Sequence, residues 1–304
     1  MADNKVAAHK TDNSAATGSK NLIKASQILD EAAAPTGQWN TKNLGLRLAA
    51  DFGSAASAAA LVAPIIAVID KSIMENASGR NTLQGSLRDS LHTLVTRPQS
   101  LVFSKPVALI CMLYGGTYLS ANTLDTLTST VCREPATLVT AGTLKFAVSS
   151  TANVGLCLVK DQAFVRLFGP PGGAVRPVAP ASFALFALRD CMTVFASFNI
   201  PPLLGPFIDR AALGHELGRS LSGDTLAQLL APAAIQLLST PLHLLGLDLY
   251  NRHAPHISAA DRWAIIRKNW AISAAARIAR IVPAFGFGGV VNKKMRCGLM
   301  ERLS

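Results

Sequence analysis

The sequence predicts an all-α membrane protein: a six-transmembrane-helix bundle made of three two-helix repeats around a pseudo-threefold axis. Three observations predict it. Half of the 304 residues are hydrophobic and only 15% are charged, against about 25% charged in soluble domains. The charges collect in short stretches and leave six long apolar segments between them. The loops on one side of those segments carry most of the Lys and Arg, which is how short loops distribute across a membrane.

About 20 apolar residues cross a ~30 Å hydrocarbon core, and each segment can be read against that length. The first, 52–69, lies between Asp51 and Asp70, and small residues crowd it (Gly53, Ser54, Ser57, Ala58), as close helix packing in lipid requires. The second, 106–124, lies between Lys105 and Asp125. The third, 137–159, is interrupted only by Lys145. The fourth, 179–208, carries Arg189-Asp190 near its middle and Pro201-Pro202 near its end, where a kink or helix end is expected. The fifth, 225–247, has no charge beyond the titratable His243. The sixth, 271–292, holds Arg277 and Arg280. Segments three, four and six cross a bilayer only if their charges face inward. A soluble all-α alternative fails on the fifth segment, which offers water no polar face.

The segments set the domain organisation. Residues 1–43 form a polar, mostly disordered N-terminal tail with a short helix near Leu22–Ala34. Residues 44–296 are the membrane domain, and 297–304 a C-terminal tail. The N-terminal tail lacks the apolar stretch of a signal peptide and the arginines of a transit peptide. Loops 71–105, 160–180 and 248–270 contain five, three and four Lys/Arg, whereas loops 125–136 and 209–224 contain one and two. The basic loops are therefore placed on the electrically negative side. Amphipathic helices are expected there at Ser86–Thr96 and Ser258–Trp270, and Gly169 to Gly173 reads as a flexible connection.

Several function classes fall away. The net charge of +11 has no basic stripe interleaved with aromatics, so nucleic acid is not expected; membrane lipids and a small charged solute are. Five scattered cysteines show no ligand spacing, so neither a metal nor a disulfide framework is expected. His253 and His256, in a basic loop, read as solvated. No phosphate loop, nucleophile elbow, H-E-x-x-H or dinucleotide fingerprint is present, so no cofactor and no catalysis are expected.

The segments also repeat. Asp70, Lys160 and Asp248, at the ends of segments one, three and five, lie 90 and 88 positions apart, and Arg189 and Arg277 are also 88 apart. Pro64 precedes Asp70 and Pro241 precedes Asp248 within their segments. A proline bends a membrane helix, and bent helices with opposite charges at their tips can converge and close a pore by ion pairing. In these features the chain resembles the mitochondrial carrier family, in which kinked odd-numbered helices end in P-x-[DE]-x-x-[KR]. The resemblance is to a divergent form: Pro64 stands six positions before Asp70, Pro241 seven before Asp248, and Val154 replaces the second proline.

The resemblance implies alternating access for a small anionic or zwitterionic solute in the mitochondrial inner membrane. It places the matrix gate at Asp70, Lys160 and Asp248, with kinks at Pro64 and Pro241. Solute binding falls to Arg189, Asp190, Arg277 and Arg280, with Lys145 adding positive charge. Arg277 and Arg280, one turn apart, present planar forks suited to a carboxylate or phosphate. A structural reading stands beside this one: Arg189 and Asp190 pair with neighbours merely to fix the bundle, and Arg277 snorkels to a headgroup. The corresponding alternative function is a non-transporting mitochondrial scaffold or assembly factor, and the alternative location is the mitochondrial outer membrane or another organelle.

Overall fold

The computed structural model describes residues 39–140, 143–170, 177–212, 223–252 and 257–303, and every regular element among them is a helix. Helix α1 spans Leu44–Ser78, α2 Leu83–Thr96, α3 Pro98–Val102, α4 Lys105–Val131 and α5 Thr143–Phe168. They are followed by α6 Pro180–Asn199, α7 Pro201–Ala212, α8 Gly223–Asn251 and α9 Ala259–Ala279. A π-helical turn, Val282–Gly288, then leads into α10, Gly289–Glu301. The expectations placed on residues 1–38, on 171–173 and on His253 and His256 lie outside the described residues.

Local chemistry sets the boundaries. Gly79 ends α1 in the left-handed conformation (φ 74°), which glycine adopts without a Cβ penalty. Thr82 caps α2 by accepting from Gly85 N–H, and Ser258 caps α9 by accepting from Asp261 N–H. Pro201-Pro202 separates α6 from α7, because two successive prolines start a helix readily but offer no N–H to the last carbonyls of the one before.

Among the described residues three helices are long and apolar enough to cross a membrane: α1, α4, and residues Leu230–Asn251 of α8. The other expected spans also fall on helices: α5, then α6 with α7, then α9 with the π turn. Neighbours pack in sequence, α1 on α4, α4 on α5, α5 on α6, α6 on α8 and α8 on α9, and the π turn with α10 returns to α1. The contacts close a ring. Helix α2 lies against α1, and α7 against α8.

This ring is polar inside and apolar outside. Arg47, Arg189, Arg277, Arg296 and Lys160 are among its largest fully buried side chains, whereas Phe52, Phe195 and Phe207 are each about 60% exposed. Water would favour the reverse arrangement, and lipid favours this one. Between the charges, Val62, Ala63 and Ile66 of α1 pack with Ile110, Phe164, Phe186 and Leu247. Gly288 lies so close to α4 that an added Cβ would fall 2.3 Å from the Tyr118 hydroxyl.

The two expected kink prolines lie inside α1 and α8. Pro241 has no N–H for the Leu237 carbonyl one turn back. The Trp270 indole of α9 donates to that carbonyl instead, at 2.8 Å.

Candidate functional site

One face of α5 brings Cys157, Lys160, Asp161 and Phe164 inward, the spacing of a single helical stripe. Helix α6 presents Phe186, Arg189 and Asp190; α8 presents Gln236, Ser239, Thr240 and His243; α9 presents Ser273 and Arg277. All of these are buried, and Asp70 of α1 joins them at one end.

Six charges form an alternating chain through this interior. Arg280 reaches Asp70 at 2.7 Å, and Asp70 accepts from Lys160 at 3.0 Å. Lys160 pairs with Asp161 at 2.6 Å, and Arg189 pairs with both Asp161 and Asp190 at 2.6 Å. In a low-dielectric interior each member is stable only while its neighbours remain. Arg189 Nη1 lies 2.9 Å from His243 Nδ1. A guanidinium only donates, so that nitrogen is the acceptor and the ring is neutral with its proton on Nε2. Ligand atoms of Cys157, Asp161 and Asp190 lie within 4.8 Å of one another, as metal ligands do. Here Arg189 Nη2 bonds all three, at 3.4, 2.6 and 2.7 Å, and so occupies the position an ion would take.

Arg277 differs from the rest. It is 2% exposed and donates from Nε to Gln236 Oε1 at 2.9 Å, and among the described residues no carboxylate lies within ion-pair distance of it. With Arg277 included, the described residues of this cluster hold four cations (Lys160, Arg189, Arg277, Arg280) against three carboxylates (Asp70, Asp161, Asp190). One positive charge is left over, and it carries a fork able to take a carboxylate through two parallel bonds. The Ser273 hydroxyl, one turn away on the same helix, is buried without a partner.

The sequence model of the family described as "probable citrulline exporter" matches residues 54–300. The chain belongs to this family. No curated protein matches it in sequence. The match overturns the resemblance to the mitochondrial carriers. Apolar helices with prolines and terminal charges recur wherever polar-cored bundles sit in lipid, and the strict carrier motif never occurs in this chain.

Within this exporter-family chain, the residues singled out from sequence separate into three groups. Asp70 and Lys160 meet, whereas Asp248 pairs on its own side with Arg252 and Arg262, each at 2.5 Å. Arg189 and Asp190 meet each other, and Arg280 turns to Asp70 instead of joining Arg277. Lys145 lies elsewhere, on Asp125 at 2.7 Å.

That second location is a buried polar cluster that sequence reasoning missed. Arg296 of α10 donates to Asp51 at 2.7 Å, to the Leu138 carbonyl at 3.0 Å and to Thr126 at 3.1 Å. Arg47 donates to Ser129, to the Thr126 carbonyl and to the Asn40 carbonyl. Asn122 and Asn292 exchange amide hydrogen bonds at 2.9 and 3.0 Å. Asp51 and Asp125 had served only as the edges of apolar segments, and Arg296 only as the end of the membrane domain. No signal in the sequence separates a charge that ends a span from one that faces another helix.

Proposed function

We propose that this chain exports citrulline, or a zwitterionic amino acid of the same shape and charge, through the interior of a ring of six membrane spans. The observation that carries the reading is Arg277, a buried guanidinium whose only partner among the described residues is the neutral Gln236. Leaving such a charge uncompensated in the interior is costly, and a substrate carboxylate offsets that cost while forming bidentate bonds. Asp190, held by Arg189 alone, supplies the negative field for the substrate's α-ammonium. Gln236 and Ser273 offer neutral hydrogen-bonding groups to a ureido end. An ammonium or guanidinium side chain would instead meet an interior already one positive charge in excess, so the site favours citrulline over cationic amino acids.

In this reading the Asp70–Lys160 and Asp70–Arg280 pairs hold one end of the pathway shut, and alternating access exchanges those pairs for bonds to water. The basic loops orient the ring toward the negative side of its membrane, which is the matrix if that membrane is the mitochondrial inner one. The family match supports export of a small solute, and the polar-in, apolar-out ring supports a path through lipid.

Proteoliposomes loaded with labelled citrulline test this directly. The wild-type chain should release label faster than empty liposomes, Arg277→Lys should release it more slowly, and Arg277→Gln should fall to background. Release by Arg277→Gln at the wild-type rate would remove Arg277 from the site. Wild-type release no faster than from protein-free liposomes would end the export reading.

A further inference from the structure

On the outer surface of the ring, a cleft of about 520 Å³ opens between the start of α4 and the end of α5. Its floor is apolar, with Leu109, Met112 and Leu167 among the lining residues, and its only charged lining groups are Lys105 and Arg166. Both cations are exposed, and neither forms an ion pair among the described residues. A third cation stands at the same rim, where Arg80 donates to the Leu167 carbonyl at 3.1 Å. The N-terminal end of α4 points here as well, and Ser104 provides no side-chain cap for it, so its positive dipole end is open. Phe103, 87% exposed, directly precedes the cap of this helix.

We propose that this cleft binds an anionic phospholipid, its phosphate between Lys105 and Arg166 and an acyl chain along Leu109 and Met112. A free anion would satisfy the two cations but leave the apolar floor in water. A neutral lipid would cover the floor but leave the cations without counter-charge. Only a ligand that joins an anion to a hydrocarbon chain satisfies both parts. The site lies outside the ring and requires only that the ring sit in a bilayer, so it stands or falls independently of citrulline export.

The test uses the full chain in phosphatidylcholine nanodiscs, with phosphatidylglycerol added stepwise. Thermal unfolding and native mass spectrometry of retained lipid are the readouts. Phosphatidylglycerol should raise the midpoint by mass action and remain bound on release from the disc, and added phosphatidylcholine should do neither. Lys105→Gln and Arg166→Gln should each weaken the response about fivefold, from ~1 kcal/mol per basic residue near an anionic headgroup. Lys293→Gln with Lys294→Gln, which removes two exposed cations elsewhere, should leave the response unchanged. Equal stabilisation by both lipids, or an intact response in the Lys105/Arg166 double variant, would overturn the proposal. An equal midpoint shift from inorganic phosphate alone would overturn it too, since the site would then bind a bare anion. If the double variant does not fold, Ala163→Leu fills the cleft and keeps both cations; it should lose the retained lipid, and retention would overturn the proposal.

Discussion

Two buried charge clusters share this interior, one around Asp51 and Arg296 and one around Asp70 and Arg189. One acid of each cluster sits on α1, at Asp51 and Asp70, about 28 Å apart along a helix rising 1.5 Å per residue. In the Asp51 cluster all three guanidinium nitrogens of Arg296 are bonded, and both terminal nitrogens of Arg47 find oxygen acceptors. In the Asp70 cluster every charge from Arg280 to Asp190 has an ion-pair partner, but among the described residues Arg277 makes a single bond, from Nε. A cluster whose terminal guanidinium nitrogens are all bonded offers little to a solute, and this one, with Arg47 Nε and Asp51 Oδ2 left over, ties α1, α4 and α10 together. An incomplete one keeps a binding capacity that only an incoming group can meet. Burial and charge alone do not separate a brace from a site; the bonding of the terminal guanidinium nitrogens does.

The sharpest way to break this contrast is to neutralise one arginine in each cluster. Arg296→Gln leaves Asp51, fully buried, without its cation and should lower stability by ~3–5 kcal/mol. The unfolding midpoint in detergent would record the loss. Arg277→Gln removes a charge that no carboxylate balances, so its midpoint should hold or rise while citrulline release disappears. Equal destabilisation by the two substitutions would mean that Arg277 is a brace after all.

The sequence showed one of these clusters and hid the other, for a physical reason. A charge inside an apolar segment has nowhere to go but inward, which made Arg189, Asp190 and Arg277 visible without coordinates. A charge at the end of an apolar segment faces water or another helix with equal ease. Asp51 and Asp125 were therefore legible only as boundaries, although α1 begins at Leu44 and α4 continues to Val131, past both of them. The all-helical class and the approximate helix positions followed from hydropathy. Partners did not: Arg280 was expected to share a ligand with Arg277 one turn away, and it turns to Asp70 on α1. Spacings of 88 and 90 suggested three equivalent tips, yet Asp248 answers to Arg252 and Arg262 while Asp70 and Lys160 answer to each other.

A smaller effect sharpens the account of the Asp70 cluster. His243 is held as an acceptor by Arg189, so what counts is a lone pair at the Nδ1 position. Asparagine places its side-chain oxygen near that point, whereas glutamine reaches toward the Nε2 position. His243→Asn should therefore retain most of the stability. His243→Gln should lose about 1.5–3 kcal/mol, the usual worth of a hydrogen bond to a charged group. The same ranking should appear in citrulline release, because the position of Arg189 fixes that of Asp190. Indistinguishable losses from the two variants would show that ring packing against Phe186, and not the hydrogen bond, is what His243 contributes.

The smallest predicted effect concerns how a proline is accommodated where no water can help. Pro241 leaves the Leu237 carbonyl without its helical donor, and the Trp270 indole supplies one at 2.8 Å. Trp270→Phe keeps the aromatic area and removes that donor, so it should cost about 1 kcal/mol, within the range of interhelical hydrogen bonds in membranes. Pro241→Ala gives Leu237 an N–H partner from its own helix. If the indole serves the carbonyl that proline exposes, Trp270→Phe should cost almost nothing in the Pro241→Ala background. A double-mutant cycle of unfolding midpoints measures the difference, and strictly additive losses would separate the two residues. Coupling between them would mean that the course of α8 past Pro241 is set jointly by α8 and α9, the two helices that carry Gln236 and Arg277, so the proline would act on the solute site through the helix that holds its cation.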